Sequence, residues 1–475
     1  MFNLPFNFQD DAHAYNFFLV VSLFSLPLTA KPHWDPHLIP QQSAFSHKSY
    51  VSNEMIKSIN EEPKISVLRL QINWLPNNET YYLSHAIIEN SGTPALLAKS
   101  KHRPKWGSYL GIVKDKNGKH LYYDSIGTGK EYRKLSRAIN LRFPLPKDNV
   151  IFELVAENPQ SGIMETVLEQ EIIVSELVTD DTYYPELEVK QLLISQKPRA
   201  LRINIYAEGY QFQDKHRFWQ DAIKTVNDLH SNNFPGIDYF SFYAVFHPSN
   251  KSLGKPIDLG FPIPEFDSFL GLYYPYWTGV ERWYHAVYPT SENKFRKALA
   301  SAPYDYALIL TKHNGYWGVG NYMSHTAIPA GNKYYFTYLL LHEFGHFFGL
   351  NEEYEGGGRT ELEFAPDIDE PWSQNMTFLS SPSYQDLKWH TLVSPQTAIP
   401  TPASDWQSNP PVYGAYKGGY GDSVSTKGTN HKPGFDCTME ASSTFCEICK
   451  HGIMDVVLYS TGAINNLIDN KNEIN

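Results

Sequence analysis

Between residues 64 and 174 apolar and polar positions alternate in short runs: KISVLRLQINW (64–74), TYYLSHAIIEN (80–90), WGSYLGIVKD (106–115), KHLYYDS (119–125), NVIFELVAEN (149–158) and a last run over 163–174. A period of two places successive side chains on opposite faces, so each run reads as a strand with one face on a core. Turn signals such as Asn117-Gly118 and Gly127 separate them. Strands at this spacing predict an antiparallel β-sandwich. No His, Cys or carboxylate cluster with ligand spacing falls in this stretch. It is expected to bind or position a partner, or only to support the second half of the chain.

After an acidic, Pro-containing connection, ELVTDDTYYPELEVKQ, the period changes. LRINIYA (201–207) reads as a buried strand, DKHRFWQDAIKTVNDLHS (214–231) as an amphipathic helix, and YFSFYAVF (239–246) and DYALILT (305–311) as further strands. Alternating strand and helix predict an α/β arrangement. Residues 252–292, rich in Pro, Gly and aromatics, form a long connection that either lines a cleft or packs on the sheet.

The most informative helix lies in YYFTYLLLHEFGHFFGLNEEY (334–354), preceded by Gly331 and Asn332 and stopped by Gly349. Residues four apart share a helix face, so His342 and His346 can present imidazole nitrogens to one divalent metal. Glu343 projects about 100° round from His342 and can act as general base on a water at that metal. This spacing points to metal-assisted hydrolysis. After the glycine break comes the acidic pair Glu352 and Glu353, either of which can return as a third ligand. Neutral histidines with a carboxylate favour Zn2+.

A chain of 475 residues predicts two or three domains. Its formal charge of -11 offers no basic surface for phosphates, which excludes nucleic acid as the expected partner. The run AYNFFLVVSLFSLPLTA (14–30) has the length of a signal-peptide core and ends in small residues, although Asp10 and Asp11 precede it in place of basic ones. It predicts export to a secreted, periplasmic or extracellular location. No stretch reaches the ~20 apolar residues of a transmembrane helix. The expected division is a signal peptide at 1–30, a β-sandwich at 31–190 and a catalytic domain at 191–475.

The HEFGH helix, its glycine turn and the following Glu-Glu-Tyr resemble the IgA-peptidase family of zinc metallopeptidases, family M64, a metzincin-like group. RINIYAEGYQFQDKHRFWQDA, FSFYAVFHPS, DYALILTKHNGYWGVGN, GAYKGGYG and HKPGFDCTMEASSTFCEICKHGIMD are similar to that family's other blocks. HLYYDSIGTG and LRFPLPKDNVIFEL are similar to its appended β domain. The resemblance implies an α+β protein, the N-terminal antiparallel sandwich leading into a zincin-like α/β catalytic domain. It also implies a zinc endopeptidase for protein or peptide substrates, glycoproteins included. His342, His346 and Glu352, ten residues after the first histidine, would be ligands, with Glu353 as competitor for the third place. Met439 matches the methionine of the turn beneath the metal. Gly318, Val319 and Gly320 match the edge strand along which a substrate lies extended. The tyrosine that some metzincins carry two residues after the methionine is replaced by Ala441.

The three cysteines, Cys437, Cys446 and Cys449, show no fourth ligand at standard zinc spacing. In an exported protein, one disulfide from Cys437 to Cys446 or Cys449 is expected, with one thiol left over. An alternative function is a binding or adhesion protein that keeps the peptidase fold without activity. The intact Glu343 argues against it, because binding has no use for that carboxylate.

Overall fold

The computed structural model describes residues 50–463 apart from 52–56, 59–64, 76–79, 128–137, 158–163, 252–253, 259–267, 277–286, 316, 355–371, 408–409 and 420–429. The expected signal peptide, residues 1–30, lies outside the described residues.

The alternating runs become strands β1 (Lys57–Ser58), β2 (Ile65–Leu75), β3 (Thr80–Gly92), β4 (Tyr109–Lys114), β5 (His120–Ile126), β6 (Ala138–Pro144), β7 (Val150–Glu157), β8 (Met164–Ile172) and β9 (Val178–Thr179). Two four-stranded sheets result, in the orders β6-β2-β3-β9 and β5-β4-β7-β8. Their pairings are antiparallel except for the short contact between β3 and β9. Leu68, Leu70 and Ile72 of β2, with Leu141 and Phe143 of β6, share one core with Val113, Phe152 and Leu154 of the other sheet. β6 is not among the runs that the alternation singled out, although Ile139, Leu141 and Phe143 alternate as cleanly as any.

The polar face of β2, β3 and β6 is buried as well. Arg69, Glu89, Asn140 and Arg142 are each less than a tenth exposed. Arg69 donates to Glu89 at 2.5 Å, to Asn140 at 3.0 Å and to Asn293 of the second half at 3.0 Å. Arg142 donates to the carbonyls of Ser91 and Tyr304, each at 3.0 Å. A buried charge is costly without partners, and these bonds reach across to Asn293 and Tyr304, so this seam fixes where the sandwich docks on the second half.

The second half adds β10 (Glu188–Leu193), β11 (Leu201–Glu208), β12 (Phe240–Phe246), β13 (Gly254–Asp258), β14 (Leu272–Tyr276), β15 (Tyr288–Pro289), β16 (Tyr306–Thr311), β17 (Val319–Asn321), β18 (His325–Pro329), β19 (Tyr416–Lys417) and β20 (His431–Lys432). Among the described residues the α-helices include α1 (Pro94–Lys99), α2 (Lys215–Ser231), α3 (Glu292–Leu299), α4 (Phe336–Phe347) and α5 (Glu447–Ser460). The main sheet runs β1-β10-β12-β11-β16-β18-β17. β11 is parallel to β12 and to β16, and β16 to β18. The outer pairings, of β1 with β10, β10 with β12 and β17 with β18, are antiparallel. The sheet therefore recruits β1 and the start of β10 from the sandwich side of the expected boundary at residue 190.

Both faces of this mixed sheet are covered, which is why its strands read as continuous apolar runs. Ile203, Ile205, Leu308 and Leu310 pack with residues of α2, α4 and α5. The alternate residues Tyr206, Ala307 and Ile309 pack on the other side with Phe295 and Leu299 of α3.

At the end of β11, Glu208 is fully buried and accepts from Ser268 Oγ at 2.7 Å and from the N–H groups of Leu270 and Leu272, each at 2.9 Å. Burial outweighs these bonds and pushes its pKa up from 4.5 to about 7. The folded state therefore holds a proton that the unfolded chain releases, and stability falls as pH rises from 4.5 to about 7. The loss is on the order of 3 kcal/mol. Glu208→Gln cannot titrate, so its stability curve should lack this fall. Melting temperatures of both chains across that window check it; parallel curves would rule the effect out.

Candidate active site

His342 and His346 sit one turn apart on α4, with ring centroids 4.8 Å apart and planes at 88°. Helix α4 is buried nearly all round by Leu339, Leu340, Leu341, Phe344 and Phe347, so neither histidine can drift. His342 Nδ1 lies 2.9 Å from the carbonyl of Thr438, and His346 Nδ1 lies 2.9 Å from the carbonyl of Leu350. A carbonyl only accepts, so each Nδ1 carries a proton, and in the neutral ring it is Nε2 that holds the lone pair. This is the tautomer that a metal ligand needs, with the orienting carbonyl already in place.

Those two carbonyls come from turns the sequence marks. Gly349, at φ 88°, ends the helix in the left-handed region and brings Leu350 back towards His346. Thr438 belongs to the loop that carries Met439. A Cβ on Gly345, between the two histidines, would stand 2.7 Å from Met439 Sδ. The fully buried methionine thus packs directly against the helix turn between the two histidines.

The acidic pair divides. Glu353 is fully buried and turns into the cysteine cluster, where its Oε1 accepts from Cys449 Sγ at 2.9 Å and from Asn375 Nδ2 at 2.8 Å. Its neighbour Glu352 is 8% exposed; the potential metal donors that converge here include Glu353 and not Glu352. Tyr354 then stacks on the His342 ring at 5.9 Å and 16°, so the chain after Gly349 does return to the histidines.

Glu343 is 5% exposed and lies against the outermost strand of the sheet. A Cβ on Gly318 would overlap the Glu343 side chain, and one on Gly320 would overlap the Glu343 carbonyl. Gly318 and the strand residues Val319 and Gly320 therefore run directly over Glu343, at the end of the main sheet order. The turn before β17 is shaped by His313, whose Nδ1 accepts from the Gly315 N–H at 2.8 Å and from Trp317 Nε1 at 3.4 Å. Burial lowers the His313 pKa, which keeps the ring a neutral acceptor.

Cys437, Cys446 and Cys449 are free thiols rather than the expected disulfide and spare cysteine. They converge with Glu353 so that one ligand atom from each lies within 4.8 Å of the others. Sequence spacing does not disclose this fourth donor, because it lies 84 residues before Cys437 and stands next to Glu352 as a candidate for the histidines. Nor does it disclose Asn375, which ties Asn351 and Glu353 together: it accepts from the Asn351 N–H and donates to the Asn351 carbonyl, each at 2.8 Å. No local signal marks Asn375.

A family model described as IgA Peptidase M64 matches residues 191–410 and 407–457, the stretch that holds α4, β17 and all three cysteines. No curated protein matches the chain.

Proposed function

This chain belongs to the IgA Peptidase M64 family and is a metallopeptidase, and we propose that it cleaves protein substrates with zinc held by His342, His346 and Glu352. Bound there, the ion supplies Lewis acidity, polarising the scissile carbonyl and acidifying water. Glu343 takes the proton from the attacking water and delivers it to the leaving amine. An extended peptide adds to the outer edge of β17 by main-chain hydrogen bonds, which brings a scissile bond over Glu343 without demanding particular side chains. Ala441 stands where some metzincins carry a tyrosine, so that position cannot steady the oxyanion.

The observation that supports this reading is the pairing of both Nδ1 atoms with carbonyls, which orients two imidazole rings one helical turn apart. Export completes the proposal on the strength of the apolar run at 14–30; among the described residues no helix is long and apolar enough to cross a membrane.

Glu352→Ala should lower zinc occupancy of the histidine site and abolish chelator-sensitive casein cleavage together. Elemental analysis and a casein assay on the same samples check it. Full zinc and full cleavage in the variant would remove Glu352 from the site. A metal-replete wild type that cleaves no protein offered would favour the binding-protein reading.

A further inference from the structure

Four potential metal donors meet in the interior beside the histidine site. Glu353 comes from the turn after α4, Cys437 from the loop before Met439, and Cys446 and Cys449 from the start of α5. Glu353, Cys437 and Cys449 are fully buried and Cys446 is 5% exposed. In a buried cluster of this kind every polar atom needs a partner. Glu353 Oε1 has two, yet Glu353 Oε2 has none among the described residues. An unpartnered carboxylate oxygen at zero exposure is costly unless a cation meets it.

The donors are close enough to share a single ion. Zinc–thiolate bonds of about 2.3 Å set tetrahedral neighbours about 3.8 Å apart. The four donor atoms fall within 4.8 Å of one another, so each pair need draw in by no more than about 1 Å. Around them the backbone is arranged for thiolates. Cys446 caps α5, its sulfur accepting from the Cys449 N–H at 3.4 Å, and Cys437 Sγ accepts from the Cys446 N–H at 3.4 Å. A helix N-terminus and N–H groups aimed at sulfur favour the deprotonated form that a metal requires. Lys432 lies close by, its Nζ donating to the Glu353 carbonyl at 2.8 Å and paired with Glu440 at 2.5 Å.

We propose that Glu353, Cys437, Cys446 and Cys449 form a second metal site, distinct from the histidine site, that takes one thiophilic divalent ion such as zinc. Three thiolates and a carboxylate fill a tetrahedral shell and leave no open position, which makes the site structural and not hydrolytic. Asn375 orients its carboxylate. The ion ties α5 to the segment after α4. Glu353 N also donates to the Met439 carbonyl at 2.9 Å. The second site therefore ties the segment after α4 to the methionine turn that packs on Gly345. The proposal does not depend on how the histidine site works.

The test uses the full chain carrying His342→Ala and His346→Ala, purified under reductant and loaded with cobalt(II). One equivalent of cobalt with thiolate-to-cobalt charge-transfer absorption is expected, displaced by zinc. All three thiols should resist iodoacetamide until a chelator is added. Cys446→Ser should lose the absorption. In case that variant fails to fold, Glu353→Gln keeps all three sulfurs and the side-chain volume, and should bind zinc more than about tenfold more weakly with unchanged circular dichroism. Absence of the absorption, thiols alkylated equally fast with and without metal, or a native disulfide between Cys437 and Cys446 or Cys449 seen by mass spectrometry would each overturn the proposal.

Discussion

Glu343→Gln should lower kcat/KM for a peptide substrate by about 10³-fold, the size of effect a positioned general base supplies. The substitution keeps the side-chain volume, which matters because the residue is 5% exposed and packed against Gly318. What it removes is the capacity to hold a proton between the attacking water and the leaving amine. Zinc content and the melting temperature should therefore stay at wild-type values while turnover collapses. Single-turnover assays beside metal analysis make the separation. A glutamine variant with undiminished turnover would deny Glu343 its role, and simultaneous loss of metal and fold would recast it as a structural residue.

Gly320→Ala should be damaging for a different reason. The added methyl would overlap the Glu343 carbonyl and stand 2.8 Å from His346 Cβ. The first of these is helix backbone and cannot swing aside, so β17 must move off α4. Overpacking of this kind costs roughly 1–3 kcal/mol. The displaced strand would also carry the substrate away from Glu343, and a misplacement of about 1 Å can lower the rate about 10²-fold. Gly318→Ala offers the contrast, because its methyl meets the Glu343 side chain, which can rotate. It should therefore lose kcat with less loss of stability. Denaturant midpoints and kinetics on the pair distinguish them; a Gly320→Ala chain of wild-type stability would mean that β17 does not press on the helix.

Local pattern carried much of this molecule. The period-two runs located β2, β3, β4, β5, β7 and β8 to within a few residues, because alternation reports directly which side chains face a core. Four-residue spacing placed His342 and His346 on one helix face, and Gly349 stopped that helix by its backbone conformation alone. These features depend on residues near one another in the chain, and such residues stay neighbours whatever the rest does.

The rest depends on which distant segments meet. Arg69 reads as the solvent side of an alternating strand, yet it is fully buried because it reaches Asn293 in the second half of the chain. The adjacent glutamates Glu352 and Glu353 are equivalent in sequence, and only the arrival of Asn375, Cys437 and α5 from far along the chain turns Glu353 into a ring of thiols and leaves Glu352 out of it. The sequence by itself determined the periodicity of the elements, the histidine pair and its glutamate. The tertiary structure alone decided that Glu353 turns towards the thiols and what lies over Glu343, because burial and donor geometry arise from contacts between segments that no local period encodes.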